Sequence, residues 1–318
     1  MTARVTRGSV GDFEAIVLEN HLLRAVIVPS LGGRVWTLED RLRGRQWIWH
    51  RPDVALRAWP VGATYDDVWA GGWEELFPND APCSFEGRHL PDHGEWWALG
   101  WSVVGVSSNP DASVTMTADS SILRARCVKE FNLADDGATL SVTYRIRSAE
   151  DRAAHFLFKQ HLPIAITPGC RLVLPGGRVE PVDPGFSTLL SSGAAFDWPR
   201  TQDAGRQVDM RLIPQPSNKL QEFVYVSGLP EAWCGVDDPD CDASIRMEFD
   251  SSTFPYVWLF LSYGGWRDLY TAVLEPCSNM PKDLAQAARA GRSAVLLPGQ
   301  EFVTTVSVTL ASRREALP

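Results

Sequence analysis

Much of what helical, membrane-spanning or nucleotide-binding proteins require is missing from this sequence. Helical periodicity is nearly absent, and no uninterrupted apolar run reaches about 18 residues, so no membrane span is expected. The first 30 residues carry charges throughout and lack the basic start and apolar core of a secretory signal, which points to the cytoplasm. The six cysteines (Cys83, Cys127, Cys170, Cys234, Cys241 and Cys277) include no C-x-x-C pair. Reduced thiols are the default in that setting, with no disulfide or zinc site expected. Basic residues are outnumbered 30 to 39 and form no cluster, and the net charge of −9 disfavours nucleic acid or an anionic membrane as a partner. The phosphate-cradling, dinucleotide, zincin and nucleophile-elbow motifs are all absent. The histidines lack the close spacing of a metal site, so neither a metal nor another cofactor is expected.

What the sequence does contain is strand after strand. Asp12–Glu19, His21–Ser30, Arg34–Leu38 and Gln46–Trp49 open the series, and Trp101–Ser107, Ser113–Thr117, Ile122–Asn132 and Thr139–Arg147 follow. The connections between the second four (Asn-Pro-Asp, Asp-Ser-Ser, Ala-Asp-Asp-Gly) are strong turn chemistry. In Thr139–Arg147, Leu140, Val142, Tyr144 and Ile146 alternate with polar residues, the pattern of a half-buried strand. His155–Leu162, Arg171–Leu174, Glu222–Ser227, Ser244–Phe249, Tyr256–Tyr263, Tyr270–Leu274, Ala294–Leu297 and Phe302–Leu310 complete the set. One helix is expected, Lys282–Ala290, stopped by Gly291. The expected fold is all-β, a large antiparallel sandwich with very few short helices, forming one domain over residues 1–318. Arg51–Gly100 and Glu180–Leu220 read as long connections folding over the sheets, where sites tend to sit.

Chemistry concentrates in a few short segments. Pro91-Asp92-His93-Gly94-Glu95-Trp96-Trp97 places an imidazole, two carboxylates and two indoles around a glycine. Imidazole and carboxylate move protons near neutral pH, and indole faces suit the C–H side of a sugar ring. Gly71-Gly72-Trp73-Glu74-Glu75-Leu76-Phe77-Pro78-Asn79-Asp80 is the second rich stretch, where Trp73, Glu74, Glu75 and Asn79 are candidates to contact hydroxyls or stack on a ring. Glu75 with Glu95 could also serve as a glycosidase carboxylate pair. On the strand before Pro163, His155, Lys159 and His161 share one face, while Phe156 and Phe158 suit the core. Glu275 ends a strand, where apolar neighbours would raise its pKa and fit it to act as a base. Pro276 is expected to stop further pairing. Trp266 and Arg267 stand on a glycine turn just upstream.

Gly32-Gly33-Arg34, the Pro-Asp-His-Gly-Glu-Trp segment, His161 before a proline and Leu274-Glu275-Pro276, in this order along nearly the whole chain, resemble the aldose 1-epimerase (galactose mutarotase-like) superfamily. The resemblance implies a large β-sandwich with an open sugar cleft, and α/β anomer exchange of an aldose without a cofactor. It further implies Glu275 as general base, His161 as general acid and His93 close by. Glu95 and Trp96 join the expected sugar contacts. The sequence departs from the family after Asn79, where Asp80 replaces the usual arginine, and it lacks an Asp-His-Pro-Phe-like segment in Glu180–Asp209. Arg34, Lys159 and Arg267 are the expected replacements, and an acidic sugar follows if they line the cleft. A sugar-binding protein without turnover, and a hydrolase or lyase acting through Glu75 and Glu95 or through His93, are the alternative readings. Whether the chain is a monomer or a homodimer is not legible in its sequence.

Overall fold

The computed structural model describes residues 2–203 and 205–313. Three antiparallel sheets dominate it. The strands Arg171–Val173, Trp233–Asp238, Ala243–Phe249, Glu301–Ser312, Thr139–Ser148, Ala125–Leu133, Ala112–Ser120 and Ser102–Ser108 form, in that spatial order, an eight-stranded sheet. A seven-stranded sheet runs Phe196–Asp197, Arg178–Pro181, Leu220–Ser227, Tyr256–Tyr263, Tyr270–Cys277, Lys159–Ile164, Glu74–Leu76. A five-stranded N-terminal sheet begins with Arg4–Val10 and ends with Arg45–Gln46.

Alternation along the strands explains the packing. Leu140, Val142, Tyr144 and Ile146 are wholly buried, while Thr139, Ser141 and Thr143 on the other face bond the hydroxyls of Thr309, Ser307 and Thr305 at 2.9, 3.0 and 3.0 Å. The buried set meets Leu162, Val224, Val257, Leu259, Leu261, Ala272 and Leu274 of the seven-stranded sheet in one continuous core, joined by Ile16, Leu18, Ile27 and Val35 of the N-terminal sheet. Each such large side chain contributes about 1.5–3 kcal/mol by leaving water. The eight- and seven-stranded sheets thus form a sandwich, and the face of the seven-stranded sheet turned away from this core is left for a site.

The expected helix spans Leu284–Arg289, with the Asp283 carboxylate accepting from the Gln286 amide at 2.8 Å and Gly291 at a left-handed φ of 68°. Several expected boundaries shift. Arg4–Val10 and Trp233–Asp238 are strands without a counterpart in the sequence reading. His155–Leu162 is two strands in different sheets, Ala154–Phe156 and Lys159–Ile164. The two long connections hold hairpins of their own, Cys83–Phe85 with Arg88–Leu90 and Arg200–Asp203 with Arg206–Asp209. Tyr270–Leu274 runs on to Cys277, because Pro276 removes one donor without ending the ladder at Cys277. Among the described residues, no helix is long and apolar enough to cross a membrane.

Candidate active site

Register builds the site. On the strand Lys159–Ile164, His161 pairs with Glu74 on one side. On the other side, Lys159 pairs with Cys277 and Leu162 with Leu274, which sets His161 opposite Glu275. Glu275 in turn pairs with Trp258. Glu74, His161, Glu275 and Trp258 therefore lie in a row across four neighbouring strands. Lys159, two residues from His161, emerges on the same face. Its ammonium donates to Asp80 Oδ2 at 2.5 Å and Glu275 Oε2 at 3.0 Å, and it lies 4.4 Å from the centre of the Trp258 ring.

His93 reaches this row from a loop. Its φ is 57° and that of Gly94 is 68°. At Gly94 a Cβ would lie 2.2 Å from the Phe77 carbonyl oxygen, so only glycine fits the close approach. Backbone bonds from His93 N to Asp80 O (2.7 Å) and Glu95 N to Phe77 O (2.8 Å) stitch the loop to the segment carrying Asp80. Asp92 accepts from the His93 ring at Nδ1 (2.8 Å) and from the Tyr65 amide (2.9 Å). The imidazole stacks on the Tyr65 ring with centroids 4.1 Å apart and an interplanar angle of 12°.

The two imidazoles sit in opposite fields. Burial works against charge on His93, but Asp80 and the bond to Asp92 outweigh it, and the pKa rises above the ordinary imidazole value despite Lys159. His161 is pushed well below that value by burial, with Lys159, His93 and Arg34 acting the same way. Burial raises the pKa of Glu275 more than Lys159 lowers it. Lys159 stays charged because Asp80 and Glu275 overcome its burial, and the Asp80 pKa is lowered in return. His161 Nε2 stands 3.3 Å from Glu275 Oε1.

Around these groups lies a cleft of about 230 Å³, lined by Glu275, His161, His93, Lys159, Asp80 and Tyr65 and walled by aromatics. Phe260 is the centre of the wall, edge-on to Trp266 at 5.2 Å and beside Phe186 and Phe223, each at 5.7 Å. Larger hollows beside Trp101 (about 500 Å³) and Met210 (about 510 Å³) contain no imidazole. The described residues include no group of three or more His, Cys, Asp or Glu side chains placed to hold a metal ion.

Of the residues singled out in the sequence, Glu275, His161, His93, Lys159 and Trp266 line this cleft. The others do not. Trp73 and Glu75 point into the sandwich because a strand turns neighbouring side chains to opposite faces. There Trp73 donates to Gln160 (2.9 Å), and Glu75 takes bonds from Lys129 (2.7 Å) and Tyr144 (2.5 Å). Glu74 is turned to the site's side of the sheet, where it lies wholly buried behind Tyr65. Glu95 is wholly buried, accepting from Ser120 and Ser121, and Trp96 stacks on Phe77 in the core at 4.2 Å. Glu75 and Glu95 are thus both committed to internal partners, which removes the glycosidase pair. Asn79 is buried and holds the loop through Pro91 O at 2.6 Å. Arg34 lies behind Tyr65, against Glu74 at 2.6 Å, and Arg267 pairs with Asp67 at 2.7 Å outside the cleft. His155 bonds Ser293 at 2.7 Å, away from the site.

The cleft also uses residues not singled out in the sequence: Tyr65, Asp66, Trp69, Asp80 and Asp183 among them. Tyr65-Asp66-Asp67-Val68-Trp69 has the same mixture of acids and aromatics as the His93 segment, and that was the available signal. Asp80 ends a segment already marked, one position after Asn79.

No family model and no curated protein matches the sequence. Solved structures do match the fold. A galactose mutarotase-like protein from Clostridium acetobutylicum superposes with a TM-score of 0.68 at 12% identity, over 98% of this chain and 99% of that one. One from Lactobacillus casei gives 0.66 at 16% identity, over 93% and 100%. A galactose mutarotase related enzyme from Lactobacillus acidophilus gives 0.65 at 12% identity, over 94% and 98%. The chain has the galactose mutarotase-like fold along nearly its whole length.

Proposed function

We propose that this protein exchanges the α and β anomers of an uncharged aldose by general acid–base ring opening. The observation that carries the reading is the meeting of one carboxylate and two imidazoles of opposite character in a single aromatic-walled cleft. Glu275 takes the proton of the anomeric hydroxyl. The C1 to ring-oxygen bond breaks as an imidazolium delivers a proton to the ring oxygen. Rotation about C1–C2 turns the aldehyde, and the same groups working in reverse close the ring on its other face. Two positioned groups of this kind supply about 10²–10⁴-fold each. We place the donor at His93 rather than at His161. His93 holds its charge against Asp80 and Asp92, with Nδ1 committed to Asp92, whereas His161 is kept neutral beside the base.

The charge of the cleft argues for a neutral sugar. Arg34 and Arg267 are tied to Glu74 and Asp67 outside it, and Lys159 is neutralised by Asp80 and Glu275. Lys282 remains at the mouth, against the carboxylates Asp66 and Asp183. Polarimetry of freshly dissolved α-aldoses tests the reading. Glu275→Gln and His93→Asn should each lower kcat about 10²–10⁴-fold. Saturable sugar binding with no acceleration by the unaltered protein would instead favour a binding protein without turnover.

A further inference from the structure

Behind the cleft runs a buried relay that the reaction above leaves unused. Tyr65 donates its hydroxyl hydrogen to Glu74 Oε1 at 2.5 Å. Glu74 Oε2 lies 2.6 Å from the Arg34 guanidinium. Arg34 is itself fixed by the carbonyls of Leu31 (2.8 Å), Gly71 (2.9 Å) and Trp97 (3.2 Å). Both Tyr65 and Glu74 are almost wholly buried. The Tyr65 oxygen also stands 3.2 Å from His161 Nδ1. A phenol has one hydrogen, and here it is spent on a carboxylate whose other oxygen faces the Arg34 guanidinium at 2.6 Å. Toward His161 the oxygen can therefore only accept, which requires the hydrogen on Nδ1.

We infer that Tyr65, Glu74 and Arg34 are positioning residues that lock His161 in the Nδ1–H tautomer, so that its Nε2 presents a lone pair to Glu275 and the substrate. His161 then belongs to the proton-accepting side of the reaction. Once Glu275 has taken the proton of the anomeric hydroxyl, its carboxyl can donate that hydrogen to His161 Nε2, 3.3 Å away, until ring closure returns it to the sugar, and nothing else is consumed. The charged and titratable groups facing this imidazole are Glu275 and Lys159 from its neighbouring strand and its own, Tyr65 from the short helix Tyr65–Val68, and His93 from the loop. Glu74 and Arg34 stand one contact behind. The kinetic part rests on the mutarotase reading; the tautomer does not.

The test is ¹⁵N–¹H correlation of the imidazoles in the full-length protein at neutral pH, with the His161 signals identified by their loss in His161→Asn. The unaltered protein should show His161 as a neutral ring with a pyrrole-type Nδ1 and a pyridine-type Nε2. Tyr65→Phe keeps the ring that stacks on His93 and should yield a mixture of tautomers. Its kcat should fall about 10- to 100-fold, within the range of one acid or base group, with KM little changed. An Nε2–H tautomer or an imidazolium in the unaltered protein would overturn the inference without any recourse to a variant. So would an unchanged tautomer in a folded Tyr65→Phe. If the tautomer is as stated but no sugar is turned over, the mutarotase reading fails and the positioning network stands.

Discussion

Glu275 and His93 act in opposite directions because their neighbours differ, and that sets a pH profile. The carboxyl of Glu275 faces Lys159, Asp80, His161 and His93, and burial dominates, so its pKa lies above the usual 4.5. His93 faces Asp80, Asp92, Lys159, Asp66 and the Tyr65 ring, and the carboxylates prevail, so its pKa lies above the usual 6.5. The base must be ionised and the acid protonated. As pH falls through the raised Glu275 value, the base is lost; as pH rises through the raised His93 value, the acid is lost. The plot of kcat/KM against pH should therefore be a bell whose alkaline limb lies above 6.5. In His93→Asn that limb should vanish while the acid limb stays. An alkaline limb that survives the substitution would assign the donor to another group.

At the scale of elements, the site depends on two constructions, a row of side chains across adjacent strands and one tight loop. The row follows from alternation and register, and alternation is what a sequence displays best. Leu274 inward and Glu275 outward, or Phe158 inward and Lys159 and His161 outward, could be read before any coordinates. Register could not, because a one-residue slip leaves composition unchanged and reverses every face. For that reason Glu74 and Glu75 read alike as candidates in the sequence. The short strand Glu74–Leu76 offers too few residues to show which of two adjacent glutamates meets Lys129 in the core. The loop was legible as a cluster of proline, histidine and glycine, but not its docking on Phe77 and Asp80. Gly94→Ala should disturb that docking. A β-carbon at a left-handed φ costs about 1–3 kcal/mol, and the carbonyl of Phe77 stands in its way. Thermal denaturation should show a lowered Tm, with kcat falling as His93 is displaced. An unchanged Tm and rate would mean that the loop reaches His93's position by another route.

For the whole molecule, the division of labour between the two faces of the seven-stranded sheet is the organising fact. One face meets the eight-stranded sheet in an apolar core that buries its few charges as complete sets, Lys129 with Glu75 and Tyr144. Removing one member of such a set is strongly destabilising, while the complete set is tolerated. The other face carries the acid–base groups, with aromatic rings as their wall. The 13 tryptophans serve both uses. Trp47, Trp73, Trp96 and Trp258 are fully buried, whereas Trp266 and Trp69 line the cleft. Long-range convergence of this kind, Tyr65 and His93 from one long connection onto strands more than sixty positions later, has no local signature.

The most direct measurement is a crystal structure with a neutral aldose bound. The account predicts the sugar against the Phe260 and Trp266 wall, with its anomeric oxygen within about 2.6–3.2 Å of the Glu275 carboxylate and its ring oxygen at the same reach from His93 Nε2. A sugar bound with its anomeric carbon turned away from Glu275, or lodged in the hollow beside Trp101, would contradict it.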